Sequence, residues 1–159
     1  MGSYYLKPTT EVQLGSVIKK VDELWPNESI LTYNLQEGIF ELSEISEMKK
    51  TDSIVEYTYV KLNYQDEAFE LNTIVPIKNH KDELVYGYFT NDKPVIADID
   101  PDKLVNVVPG FYKFFNGSEW IDIENVELFN YVGYLFQIKV AKNHSFFVEN
   151  ILISDYTTE

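Results

Sequence analysis

The sequence predicts an all-β domain, and three observations predict it. Apolar and polar residues alternate over short runs, while spacing at the helical period is scarce. Those runs are rich in Val, Ile, Thr, Tyr and Phe, which suit a pleated, half-buried surface. Roughly ten such runs are separated by Gly, Pro, Asn or Asp, the pattern of many short strands with long-range pairing.

In chain order, Thr10 to Leu14 reads as a short strand ended by Gly15-Ser16. Val17, Ile18, Val21 and Leu24 have helix-like spacing, enough for one or two turns before Pro26 stops them. Ser29 to Asn34 returns to strand, Gln36-Glu37-Gly38 turns the chain, and Ile39 to Leu42 continues it. Ser53 to Asn63 and Phe69 to Ile77 are β-branched and aromatic runs, with Pro76 weakening the second as a central strand. Leu84 to Phe89 and Lys93 to Ile99 flank Asn91-Asp92 as a hairpin, and 98–103 is a polar loop. Phe111 to Phe115 and Ser118 to Ile123 flank Asn116-Gly117, the signature of a hairpin with a type I′ turn. Leu135 to Val140 and Ser145 to Ile153 supply the last two strands.

The chain has 159 residues, 45% hydrophobic and 15% aromatic, which is one domain with a real core. Its 26 acidic residues outweigh 13 basic ones, all Lys, for a formal charge of −13. Phosphate recognition calls for a basic patch and favours guanidinium, so nucleic acid and anionic membrane are not expected partners. A protein partner would present a basic or neutral surface. Without Cys, disulfides, thiolate metal sites and thiol nucleophiles are excluded. No run approaches the about 18 apolar residues of a membrane span, and Met1-Gly2-Ser3 has no character of a secretion signal. Residues 1–4 read as a cloning remnant and 157–159 as a tail.

No cofactor or metal is expected. The only histidines, His80 and His144, lie far apart in sequence. Asp98, Asp100 and Asp102 imitate a calcium loop, but the glycine is missing and Pro109 replaces the terminal Glu, so the stretch reads as a solvated acidic loop. Phosphate loops and the Gly-x-Ser-x-Gly elbow are absent. Tyr57 and Tyr59 share one face of a strand and read as core packing, with a partner surface as the other reading.

The end of the chain carries a more specific pattern. Leu135-Phe136-Gln137-Ile138-Lys139-Val140 followed by Asn143-His144-Ser145-Phe146-Phe147-Val148-Glu149-Asn150-Ile151-Leu152-Ile153-Ser154-Asp155 resembles, without a gap, the closing block of hedgehog/intein (Hint) domains. Thr10-Glu11-Val12, Val21 to Leu24 and Ser29 to Asn34 resemble the family's opening, with Pro26-Asn27-Glu28 in place of its Gly-Asp turn. Phe69 to Pro76 resembles the central block with its Thr-x-x-His motif, and Trp120 to Val126 the element after it. The resemblance implies a horseshoe of short antiparallel strands over residues 5–156, with one or two short helical turns and the two ends of the domain meeting at its centre.

It also implies a chemistry that these residues do not supply. Self-processing starts when a thiol or hydroxyl at the first position attacks the carbonyl before it; that position falls on Tyr5, five residues before Thr10. The Thr of the central Thr-x-x-His motif falls on Thr73 and its His position on Val75 or Pro76, and the Asp of the late strand corresponds to Gln137. The penultimate His, the cyclising Asn and the downstream nucleophile correspond to Ser154, Asp155 and Tyr156. His144 alone keeps its polar motif residue. Ser3, Thr9, Thr10, Thr157 and Thr158 are the hydroxyls a shifted register could enlist. The expectation is therefore a degenerate, non-splicing intein-like domain acting as a structural or interaction module, in a larger phage or secreted assembly, and cytoplasmic or virion-associated. Active self-processing is the competing reading, and a stand-alone acidic inhibitor or immunity-type protein is a third.

Overall fold

The computed structural model describes residues 4–65 and 68–157. The expected remnant and tail, and with them Ser3 and Thr158, therefore lie outside the described residues apart from Tyr4 and Thr157.

Among the described residues, two turns of 3-10 helix, Val21–Glu23 and Pro101–Lys103, interrupt an otherwise all-β architecture. Its strands are β1 (Glu11–Leu14), β2 (Val17–Lys20), β3 (Ser29–Asn34), β4 (Ile39–Lys50), β5 (Val55–Leu62), β6 (Phe69–Glu70), β7 (Val75–Lys78) and β8 (Leu84–Tyr88). They continue as β9 (Leu104–Asn106), β10 (Lys113–Phe115), β11 (Trp120–Asp122), β12 (Val126–Gly133), β13 (Phe136–Val140), β14 (Ser145–Val148) and β15 (Ile151–Ser154). They form ladders in the orders β15-β14-β1-β2, β11-β10-β7-β8-β9, β12-β5-β6 and β13-β4-β3. Every pairing is antiparallel except β8 with β9. Not all strands are short: β4 runs for 12 residues and pairs with β3 at one end and β13 at the other.

Several segments depart from the sequence reading. Val17 to Lys20 is a strand rather than a helical turn, because Gly15, at φ 44°, reverses the chain and sets Gln13 opposite Ile18. Of the four residues at helical spacing only Val21 and Leu24 are buried, so no apolar stripe exists to hold a helix. Lys93 to Ile99 is not a strand: Pro94 lacks a donor, and Ile96 and Ile99 pack instead against Ile74 and Leu104. Phe69 to Ile77 divides into β6 and β7, and Pro76 sits inside β7 opposite Tyr86. Ser145 to Ile153 divides likewise, into β14 and β15, at Glu149-Asn150. At Asn116-Gly117 only Gly117 has a positive φ (99°), and the Asn116 side-chain oxygen accepts from the amides of Ser118 and Glu119, which is not a type I′ turn. The second half of β4 and all of β12 escape the sequence reading, because Glu44 and Glu47 in one and Glu127 and Asn130 in the other stand three residues apart and break the alternation.

Both faces of β14 and β15 are buried, which is why their sequences are nearly continuous apolar runs. Phe146, Val148, Ile151 and Ile153 join Tyr5, Leu6, Val12, Ile30 and Phe69 in the main core. Tyr59 is buried and its ring packs 5.8 Å from that of Tyr131, while Tyr57 is half-buried, so the paired tyrosines are largely core. None of the described helices is long and apolar enough to cross a membrane.

Candidate functional site

The two ends of the domain meet on one strand. Leu6 bridges to Phe136 at the start of β13, with Phe136 N donating to Leu6 O at 2.7 Å. That pins Tyr5, whose ring runs inward and whose hydroxyl donates to the Ile138 carbonyl. Two residues further along β13, the amide of Val140 donates to Asp155 Oδ2 at 2.9 Å. Tyr5 and Asp155, 150 positions apart in sequence, thus dock side by side on the same strand.

Local backbone geometry sets His144 beside them. Asn143 and His144 turn the chain from β13 into β14 with φ 66° and 47°, a left-handed conformation that Asn and His tolerate better than most residues. The Asn143 amide holds the turn by donating to Thr32 Oγ1 at 2.9 Å and to Glu41 Oε1 at 3.1 Å. His144 Nδ1 then lies 3.0 Å from Asp155 Oδ1, and the backbone of Asp155 returns a bond to His144 O at 2.9 Å. Tyr156 stacks on the imidazole with ring centroids 4.9 Å apart. One edge of His144 is thereby fixed, while about half of its side chain (53%) remains exposed.

Burial dominates the electrostatics. The Asp155 carboxyl is 2% exposed, and desolvation raises its pKa despite the Val140 amide and His144, which pull it down. Burial, with the nearby Asp155 charge, drives the Tyr5 phenol well above its ordinary range. Tyr156 is pushed up to about 12, again mainly by burial. Among the described residues, no three His, Asp or Glu side chains converge on a point where they could hold a metal.

The remaining expected positions surround this centre. The Ser154 hydroxyl donates to Ile74 O at 2.7 Å, tying the penultimate position to the segment that follows Thr73. Thr73 is buried with its hydroxyl unpartnered. Gln137 is buried between the two β13 residues that hold Leu6 and Tyr5, and its Oε1 also lacks a partner. Thr10 lies beside the Tyr59 hydroxyl, which in turn donates to Tyr5 O at 3.2 Å, so Thr10 connects to the centre through Tyr59. Pro76 connects to it through its cross-strand neighbour Tyr86, whose ring meets Tyr156 edge-on at 5.9 Å. His80 is exposed in the loop after β7.

Two contributors were missed in the sequence. Tyr59 accepts from the Lys7 amide and donates to Tyr5 O, clamping the entering chain. Glu70 N donates to the same Tyr5 carbonyl at 2.9 Å, while the buried Glu70 carboxylate accepts from the Asn72 backbone and side chain at 3.0 and 2.8 Å. A lone acid inside the apolar run Phe69-Glu70-Leu71 was the available signal.

A cleft of about 290 Å³ opens beside His144, lined also by Ser46, Asp98, Lys139 and Tyr156. The arrangement binds and orients one imidazole, but it offers no small nucleophile at Tyr5. A side chain that attacks the carbonyl preceding its own residue must close a small ring, as a hydroxyl or thiol on Cβ does. The Tyr5 oxygen sits at the far end of a rigid ring and is engaged with Ile138.

No family model and no curated protein matches the sequence. Solved structures do match the fold. An AceL NrdHF class 3 split intein, a splice-inactive variant, superposes with a TM-score of 0.66 at 12% identity, covering 98% of this chain and 97% of that one. A bacterial intein-like domain from Clostridium thermocellum gives 0.59 at 11% identity, with 97% and 99% covered. A DnaB intein from Synechocystis sp. PCC 6803 gives 0.55 at 14% identity, with 96% and 98% covered. From Tyr5 clamped at the start of β13 to Asp155 at its end, and over nearly its whole length, this chain has the intein (Hint) fold.

Proposed function

We propose that this domain is a non-splicing relative of the inteins, retained as a structural or interaction module whose protein partner has a basic or neutral surface. The observation that carries the reading is Tyr5: at the position where self-processing begins stands a buried phenol, held against the Ile138 carbonyl and with its proton stabilised by burial. At the other end Asp155 has no amide nitrogen to cyclise, and both carboxylate oxygens are engaged, by Val140 and by His144. The chain's lack of Cys removes the commonest means of compensating.

The test is intact-mass analysis of the domain fused between two stable flanking domains, incubated from acid to mildly basic pH with and without hydroxylamine. A single full-length mass is expected throughout. A fragment ending at Tyr4 or at Asp155, or one abolished by Thr9→Ala, Thr10→Ala or Ser154→Ala, would restore the self-processing reading.

A further inference from the structure

Three adjoining hollows form one groove at the end of the β14–β15 hairpin remote from His144. The first, about 210 Å³, is lined by Leu31, Phe40, Phe147 and the Asn116–Ser118 turn. It shares Gln13, Phe147 and Asn150 with a second of about 30 Å³ walled by Ile18. That one shares Glu11, Glu149 and Asn150 with a third of about 410 Å³, bordered by Tyr64. The groove therefore runs from an apolar end to an acidic, aromatic one. Ile18 and Phe40 stand 54% and 48% exposed, a large apolar area to leave open to water.

Two features of the acidic end are unfavourable for folding alone. Glu149 and Asn150 form a two-residue turn with φ 47° and 64°. Turns with both central residues left-handed favour Asn, Asp or Gly, and a glutamate there is strained. Tyr64, an aromatic residue at φ 61°, is 73% exposed. The left-handed backbone at Tyr64 sets its ring on the same hollow as Glu11, and a carboxylate with a ring face is the chemistry that receives a Lys or Arg head group.

We infer that this groove docks an extended segment of a partner protein, seating an aliphatic or aromatic anchor over Phe147 and a Lys or Arg side chain against Glu11 and Tyr64. The charge of −13 favours such an occupant. Lys20, across from Glu11 in the β1–β2 register, works against it. The inference rests on the reading of the domain as an interaction module, and it involves none of the groups at the Tyr5 and Asp155 centre.

The test uses fluorescein-labelled peptides of about nine residues with a Leu or Phe anchor and an Arg about two to five positions away, read by anisotropy at low salt. One spacing is expected to bind, with amide shifts at Phe147 to Asn150 and at Tyr64 in a titration followed by NMR. Glu11→Lys in the domain, or Arg→Glu in the peptide, should weaken binding about fivefold or more, and Lys20→Glu should tighten it by about threefold. Asp92→Lys, the same kind of charge change in a loop outside the groove lining, should leave it within about twofold. No binding up to about 1 mM, indifference to Glu11→Lys, or shifts confined elsewhere would overturn the inference. So would concentration-dependent self-association abolished by Phe40→Ala, which would assign the groove to a second copy. The cleavage assay is unaffected by any of these results, so the two readings fail separately.

Discussion

The two ends of the β14–β15 hairpin invite comparison. At one end, Ser145 pairs with Ser154, and the residues beyond them, His144 and Asp155, are locked by hydrogen bonds to each other, to β13 and to the stacked Tyr156. At the other, Val148 pairs with Ile151 around a strained Glu149-Asn150 turn that opens onto the groove. On the proposed reading, the first end keeps the geometry of a reactive centre around unreactive groups. The second accepts backbone strain and exposed apolar surface where a plain Asn-Gly would fold more easily. If the inferred groove is occupied as proposed, this scaffold keeps one end of the hairpin fixed for stability and gives the other to interaction.

The comparison breaks most visibly at Tyr5. Tyr5→Ala removes a fully buried ring and should cost about 3–5 kcal/mol, measured by chemical denaturation. Tyr5→Phe, which leaves the Ile138 carbonyl unpaired, should cost about 1–3 kcal/mol. A loss near zero for Tyr5→Ala would mean that the two chain ends are not held together on β13. Asp155→Ala strands the Val140 amide and should cost about 1–3 kcal/mol at acidic pH.

The pH dependence sharpens the same end. Burial raises the Asp155 pKa, so the folded state holds that proton more tightly than the unfolded chain does. Its contribution is fully present below the ordinary carboxylate value of about 4 and is lost as pH rises through the raised, folded value. Glu70, also raised by burial, acts with the same sign. Asp155→Asn should flatten this share of the profile, read as the denaturation midpoint at several pH values. An unchanged slope would place the carboxylate in water.

The smallest effect belongs to the turn end. Glu149→Gly or Glu149→Asn relieves a left-handed glutamate and should raise stability by up to about 1 kcal/mol, visible as a modest rise in Tm. Loss of stability instead would show that the Glu149 side chain supports the fold.

How much of this was legible in the sequence depended on distance along the chain. The His144–Asp155 pair spans 11 positions and falls inside one gapless block, so its spacing could be read directly. The docking of Tyr5 on Ile138 spans 133 positions, and nothing local in Tyr4-Tyr5-Leu6 announces it; only the family resemblance brought the two ends together. Lys93 to Ile99 misled because its apolar residues pack as loop anchors, a role that alternation alone does not separate from a strand. β12 escaped notice because Glu127 and Asn130, three residues apart, break its alternation, although it pairs with β5 over eight residues. Glu70 was overlooked because its role is exercised largely by its backbone amide.

The antiparallel match of β1 to β14, Val12 against Val148, has a consequence for biosynthesis. During translation β1 and β2 leave the ribosome as a hairpin whose β1 edge is bare, and the strand that covers it is made more than a hundred residues later. Until then the nascent chain must keep that edge from pairing elsewhere. Closure of the domain is thus a late step, and such non-local pairing folds slowly. Exposure to chaperones and proteases should be greatest just before β14 and β15 emerge.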